Sequence, residues 1–124
     1  MKNLIQVIPF EVNVRVSEVN EVPTGVDLIQ APKIWNVTKG KGITVAVLDT
    51  GCERSHPDLQ KRIIGGRNFT DDDGGDPASF HDYNGHGTHV AGIIAAQQDN
   101  KGVVGVAPET NLLIVKVLNK KGAG

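Results

Sequence analysis

Two residues carry the side chains best suited to chemistry in this chain. His86 lies between glycines in the run Asn84-Gly85-His86-Gly87-Thr88-His89-Val90-Ala91-Gly92. A polar loop gives way there to small and apolar residues, which places the imidazole in the first turn of a helix. Gly85 and Gly87 permit close backbone approach, Thr88 and Asn84 can satisfy free amides at the helix start, and Ala91 and Gly92 allow close contact with a sheet. Asp49 closes the run Val45-Ala46-Val47-Leu48. Four consecutive apolar residues are too few for a helix and predict a strand buried on both faces, as in a parallel sheet. The carboxyl ends of such strands are where reacting groups collect in open α/β sheets, and Thr50-Gly51 turn the chain so that Asp49 faces that crevice. A carboxylate there can accept the Nδ1 proton of His86, which leaves Nε2 available as a general base and stabilises the imidazolium that forms. A histidine beside a glycine, taken alone, is more often an unreactive polar helix cap.

Further motifs add to this pair. Ser55-His56-Pro57-Asp58-Leu59 follows the aspartate, and Gly105-Val106-Ala107-Pro108 follows the histidine. With Asp49-Thr50-Gly51 and the His86 run, these make residues 22–124 resemble the subtilisin family of serine peptidases. The resemblance implies an α/β fold, a doubly wound and mostly parallel sheet with helices on both faces, of which this chain carries the first part. It implies peptide-bond hydrolysis through an Asp-His-Ser triad, with Asp49 and His86 matching the catalytic Asp and His and with proteins or peptides as substrates. The nucleophilic serine and the oxyanion-hole asparagine have no counterpart before Gly124, so the chain alone is expected to be inactive. A structural calcium ion is also implied. Asp58 matches one ligand, and the loop 97–103 supplies Asp99 and main-chain oxygens of Gln97, Lys101 and Val103, in keeping with the about six to eight oxygens that calcium takes. Asn20 lies where the family places an amide ligand, which an unprocessed extension would keep away.

The N-terminal residues read as extended. In residues 10–16 apolar and polar side chains alternate strictly, as in a half-buried strand. Pro9 cannot donate to a sheet ladder, so residues 4–10 read as an added edge segment or, equally, as an ordinary terminal strand. Ile8-Pro9-Phe10 looks like the Leu-Ile-Pro-Tyr/Phe motif of intracellular subtilisins, with Val7 where Leu is commoner. That likeness makes residues 1–18 an inhibitory extension laid across the active site and removed on activation, and 19–124 the incomplete peptidase domain. Such a strand can join the cleft edge by backbone pairing, while Pro9 kinks its carbonyls away from the nucleophile.

The remaining elements and the composition set bounds. A length of 124 residues fits one small domain, and 39% hydrophobic content is enough for a core. A net charge of −1 gives no reason to expect nucleic acid or an anionic membrane as partner. No apolar run is long enough to span a bilayer, and the N-terminus lacks the basic and apolar regions of a secretory signal. The single cysteine, Cys52, excludes an internal disulfide and reads as a small buried side chain rather than a nucleophile. These features favour the cytoplasm. Residues 20–41 read as helix and turn with Trp35 in packing, and 63–69 as a strand with a glycine bend. Residues 70–77 read as an exposed acidic loop in which Asp71, Asp72, Asp73 and Asp76 either bind a second ion or are simply solvated. Residues 112–118 read as a buried strand whose unpaired edge calls for a partner, either the missing C-terminal part of the domain or another copy of the chain.

Two other functions compete. A metal hydrolase would use His86, His89 and Asp49, although zinc hydrolases place histidines at i, i+4 beside a Glu, and none is present. A non-catalytic fragment or binding module is the other. In the peptidase reading His89 supports the packing of helix on sheet.

Overall fold

The computed structural model describes residues 5–8 and 21–124 of the chain. Three strands form its sheet: β1 (Thr44–Asp49), β2 (Ile63–Asn68) and β3 (Asn111–Lys116). All pair in parallel, in the order β1-β3-β2. Parallel neighbours need long crossovers, and the one leading to β3 carries α2 (His86–Ala95), which packs on β1 and β3. A short α1 (Thr24–Leu28) and a 3₁₀ turn (Ala31–Ile34) precede β1. Trp35 packs beside them and donates its indole N–H to the carbonyl of Val106 at 2.9 Å, a structural role as expected.

The helix buries a stripe of small side chains. Gly87, Ala91 and Ala95 recur at every fourth position and face the sheet. They meet Val47, Leu112 and Ile114 in a core completed by Cys52, Leu59 and Phe80. Full burial of Leu112 and Ile114 contributes about 1.5–3 kcal/mol each, which makes β3 the strand that holds helix and sheet together. Gly92 takes no part in this approach, since a Cβ there would meet nothing within 4 Å. The close contact belongs to Gly87 instead.

Two expectations about the strands are corrected. Among the described residues β1 is buried on one face only: Val47 and Asp49 point inward, while Leu48 is 62% exposed. The reason is that α2 covers one side of the sheet, and Leu48, Ile64 and Leu113 lie exposed on the other. The second correction concerns β3, which is not an edge. It is hydrogen-bonded to β1 on one side and β2 on the other, so the sheet's edges among the described residues are β1 and β2. The glycine bend in β2 appears as a register shift between Ile63 and Gly65.

Residues 5–8 lie antiparallel to the end of the chain. Gln6 bridges Ala123, the amides of Ile5 and Gly124 bond each other's carbonyls at 3.3 and 3.0 Å, and the Val7 amide reaches the Gly122 carbonyl at 2.7 Å. Ile8 is 82% exposed. Pro9, Phe10, the alternating stretch 10–16 and Asn20 lie outside the described residues. Glu21 resumes the chain in a parallel bridge with Val103. Among the described residues no helix is long and apolar enough to cross a membrane.

Candidate active site

Asp49 and His86 meet where a strand ends and a helix begins. Asp49 is the last residue of β1 and His86 the first of α2. The imidazole Nδ1 lies 2.8 Å from Oδ1 and 2.9 Å from Oδ2 of Asp49. A carboxylate can only accept, so Nδ1 carries the proton and Nε2 is the basic nitrogen. Asp49 itself is 8% exposed and takes a second hydrogen bond, 2.7 Å, from the amide of Thr50. A half-buried imidazole oriented by a buried carboxylate is an arrangement for general acid-base work.

The backbone around His86 explains its glycines. Gly85 is the N-cap at φ 100°, a left-handed conformation that L side chains avoid. Gly87 lies so close to the turn after β1 that an added Cβ would run into the carbonyl oxygen of Gly51 and come within 3.0 Å of the Thr50 hydroxyl. The first-turn amides of α2 are then satisfied by side chains from outside the helix. That of His86 reaches Asn84 Oδ1 at 3.3 Å, that of Gly87 reaches Thr50 Oγ1 at 2.9 Å, and that of Thr88 reaches Asp82 Oδ2 at 2.8 Å. Thr88 does not cap a helical amide, as its position had suggested. Its hydroxyl donates to Asp82 at 2.7 Å and accepts the amide of Glu53 at 3.0 Å.

Asp82 is the site residue that sequence reasoning missed. It is 8% exposed and accepts from the Thr50 hydroxyl, from the Asn84 and Gly85 amides, and from the amide and hydroxyl of Thr88. Burial pushes its carboxyl up, but the donors on Thr88, Gly85 and Thr50 outweigh that and hold it below the usual carboxylate range. A usable signal was present in the text: an aspartate four residues before a histidine flanked by glycines, with a threonine two residues beyond.

Other candidates sort differently. His89 is exposed, so it does not support helix on sheet; position 89 falls off the stripe formed by 87, 91 and 95. His86, His89 and Asp49 do not form a metal-holding cluster, nor does any group of three or more His, Cys, Asp or Glu among the described residues. Cys52 is fully buried, and burial above all pushes its thiol up to about 12. The acidic loop is only partly solvated. Asp72 pairs with Lys116 at 2.8 Å, and Lys116, wholly buried at the end of β3, also donates to the carbonyl of His81 at 2.6 Å. Asp73 accepts from Ser79 and Tyr83, both at 2.6 Å, and Asp76 from the amide of Ala78 at 2.9 Å. Asp72, Asp73 and Asp76 are thus partnered by β3 and by the stretch 78–83 that follows the loop.

The proposed calcium ligands lie together. Asp58 is buried, and burial, with the charge of Asp99 adding and His56 opposing, raises its carboxyl above the ordinary range. The loop 97–103 closes on it: the Gln97 amide bonds the Asp58 carbonyl at 2.9 Å, and a Cβ on Gly102 would lie 2.6 Å from Asp58 Oδ2. Asp99 is turned into its own loop by Gln97 Nε2 at 2.7 Å and the Lys101 amide at 3.1 Å. Two neighbouring carboxylates, one of them desolvated, beside a loop that has main-chain oxygens to offer are a donor set of the kind calcium takes. The residues present fit such an ion.

Known proteins share this arrangement of sequence. The Subtilase family model matches residues 40–124. An "Intracellular serine protease" of Paenibacillus polymyxa is 64% identical over 124 residues, all of this chain and 38% of the relative. A "Major intracellular serine protease" of Bacillus subtilis is 58% identical, again across the whole chain and over 40% of its own length. "Thermitase" of Thermoactinomyces vulgaris is 43% identical over 81% of this chain. The chain thus spans about two fifths of the length of the first two relatives, as their 38% and 40% coverage shows.

Proposed function

Because the chain belongs to the subtilase family, we propose that it supplies the acid-base half of a serine endopeptidase of the intracellular kind, restrained by its own N-terminal extension. The observation that carries the reading is the pairing of His86 Nδ1 with both oxygens of Asp49. In the complete protein His86 Nε2 takes the hydroxyl proton of a serine as its oxygen attacks a peptide carbonyl. The same proton then passes to the leaving amine as the C–N bond breaks, and water hydrolyses the acyl-enzyme with His86 again as base. Asp49 holds the productive tautomer throughout. On this reading the 124 residues alone, which hold no counterpart of that serine, have no peptidase activity. The relatives' names also make an intracellular location the reading for this chain.

Asp49→Asn in the complete protein tests this. The amide offers Nδ1 a poorer partner and permits the wrong tautomer, so kcat falls about 10⁴-fold with KM little changed. A loss below tenfold would sink the assignment.

The pairing of residues 5–8 with 122–124 supports the restraint. Residues 122–124 resemble the start of the segment that lines the family's substrate cleft, and residues 5–8, already hydrogen-bonded to them, would take the place of an extended substrate there. Deleting residues 1–18 raises activity on a peptide substrate; equal activity of the two forms counts against it. Asp58 and Asp99, with main-chain oxygens of Gln97, Lys101 and Val103, would hold calcium, which would stabilise the loop 97–103 and neutralise its carboxylates. Chelation then lowers the melting temperature of the wild type and not that of Asp58→Asn.

A further inference from the structure

The hydrogen bonds around the dyad run through a single carboxylate that takes no part in the proton transfer. Asp82 Oδ1 accepts the Thr50 hydroxyl at 2.8 Å and the amides of Asn84 and Gly85 at 3.0 and 2.8 Å. Its Oδ2 accepts the amide and hydroxyl of Thr88 at 2.8 and 2.7 Å. Thr50 is one bond from Asp49, whose Oδ1 its amide holds at 2.7 Å. The same threonine's hydroxyl accepts the amide of Gly87. His86 therefore has on either side of it a residue fixed by Asp82, directly at Gly85 and Thr88 and through Thr50 at Gly87.

We infer that Asp82 is a positioning residue for the Asp49–His86 pair: it clamps the end of β1 to the start of α2, so that the carboxylate and the imidazole meet in register. The chemistry of the site requires an acid at this position. Five donors converge on two oxygens, and an asparagine would offer one oxygen and turn an N–H toward at least two of those donors. Losing partners for buried amides shifts the backbone that carries them. Catalytic groups must be held within about 0.5 Å, and a displacement of about 1 Å costs on the order of 10²-fold in rate. A cap that merely stabilised the helix would not place its bonds on the residue following Asp49.

The test uses the complete protein and rests on the peptidase reading only for its rate measurement. In a histidine-labelled sample, the Nδ1–H proton of His86 gives a downfield NMR resonance that reports its bond to Asp49 whether or not the enzyme turns over. Asp82→Asn is expected to broaden or shift that resonance upfield and to lower kcat about 10²-fold, with KM changed less than threefold. Thr50→Val, which removes only the relaying hydroxyl, acts in the same direction, and Thr50→Ser recovers signal and rate. The inference is overturned if Asp82→Asn is folded and keeps both the resonance and kcat. Should that variant fail to fold, the threonine pair decides: equal behaviour of Thr50→Val and Thr50→Ser overturns it. A wild type that shows the resonance but cleaves no peptide sinks the peptidase reading and leaves the clamp to be judged by NMR alone.

Discussion

Replacing Lys116 exposes how much of the architecture depends on one buried charge. Its ammonium is wholly inaccessible, 2.8 Å from an Asp72 oxygen whose side chain is 7% exposed, and 2.6 Å from the His81 carbonyl. Lys116→Met removes the cation and leaves a carboxylate with little water to solvate it. Breaking a buried pair from one side costs about 3–5 kcal/mol. The orphaned His81 carbonyl falls within that range, because the two losses share one neighbourhood and do not add. Asp72→Asn strands the ammonium and costs about 3 kcal/mol by the same reasoning. The double change Lys116→Met with Asp72→Leu replaces both charges by apolar groups, which is often neutral, so the coupling between the positions is about 3 kcal/mol or more. Equilibrium unfolding in urea of the complete protein and its three variants at pH 7 measures this. The coupling persists at 1 M salt, roughly where a surface pair would be screened. Single costs that sum to the double within about 0.5 kcal/mol would show the charges to be independent and would refute the reasoning.

Three further outcomes follow from the site. Gly87→Ala drives a methyl group into the Gly51 carbonyl and the Thr50 hydroxyl, so the complete enzyme loses about 10²-fold in kcat while Gly92→Ala, facing open space, retains its activity. Asp82, held below its ordinary value of 3.8, contributes stability that is present above that pH and lost as pH falls through its lowered value in the folded protein. Acid unfolding of Asp82→Asn accordingly lacks this component, and identical acid midpoints in wild type and variant would contradict it. Cys52, with a thiol pushed up to about 12 by burial, stays protonated near pH 8 and is alkylated by iodoacetamide only as the protein unfolds. Rapid labelling of the native protein would contradict that.

The Asp49–His86 pair was legible because each partner sits in a short pattern with a local meaning. Asp49 ends an apolar strand and His86 opens a helix between glycines, and both patterns survive intact in the structure. Asp82 was not read, although its spacing from His86 was a usable signal, because one of the donors it collects, Thr50, lies 32 residues away and nothing local announces that bond. Lys116 could have been found. It continues the inward set Leu112, Ile114 at period two, so its charge falls on the buried face and demands a partner. Strand order lay beyond the text, since periodicity fixes which face of a strand is buried, not which neighbour it chooses. The exposed face of β1 misled for a related reason: Ala46 and Leu48 are apolar, yet the helix lies on the other side.

The order β1-β3-β2 also bears on how the protein comes into being. Neither outer strand bonds the other, so both wait for the one between them, which is translated last. Synthesis from Asn68 to Lys116 takes about 2–10 s at ~5–20 residues per second. Asp49 is made before that interval and His86 within it, but the sheet on which their alignment depends has no centre until it ends. From His86 to Lys116, about 1.5–6 s at the same rate, the nascent chain carries both side chains without the strand that aligns them.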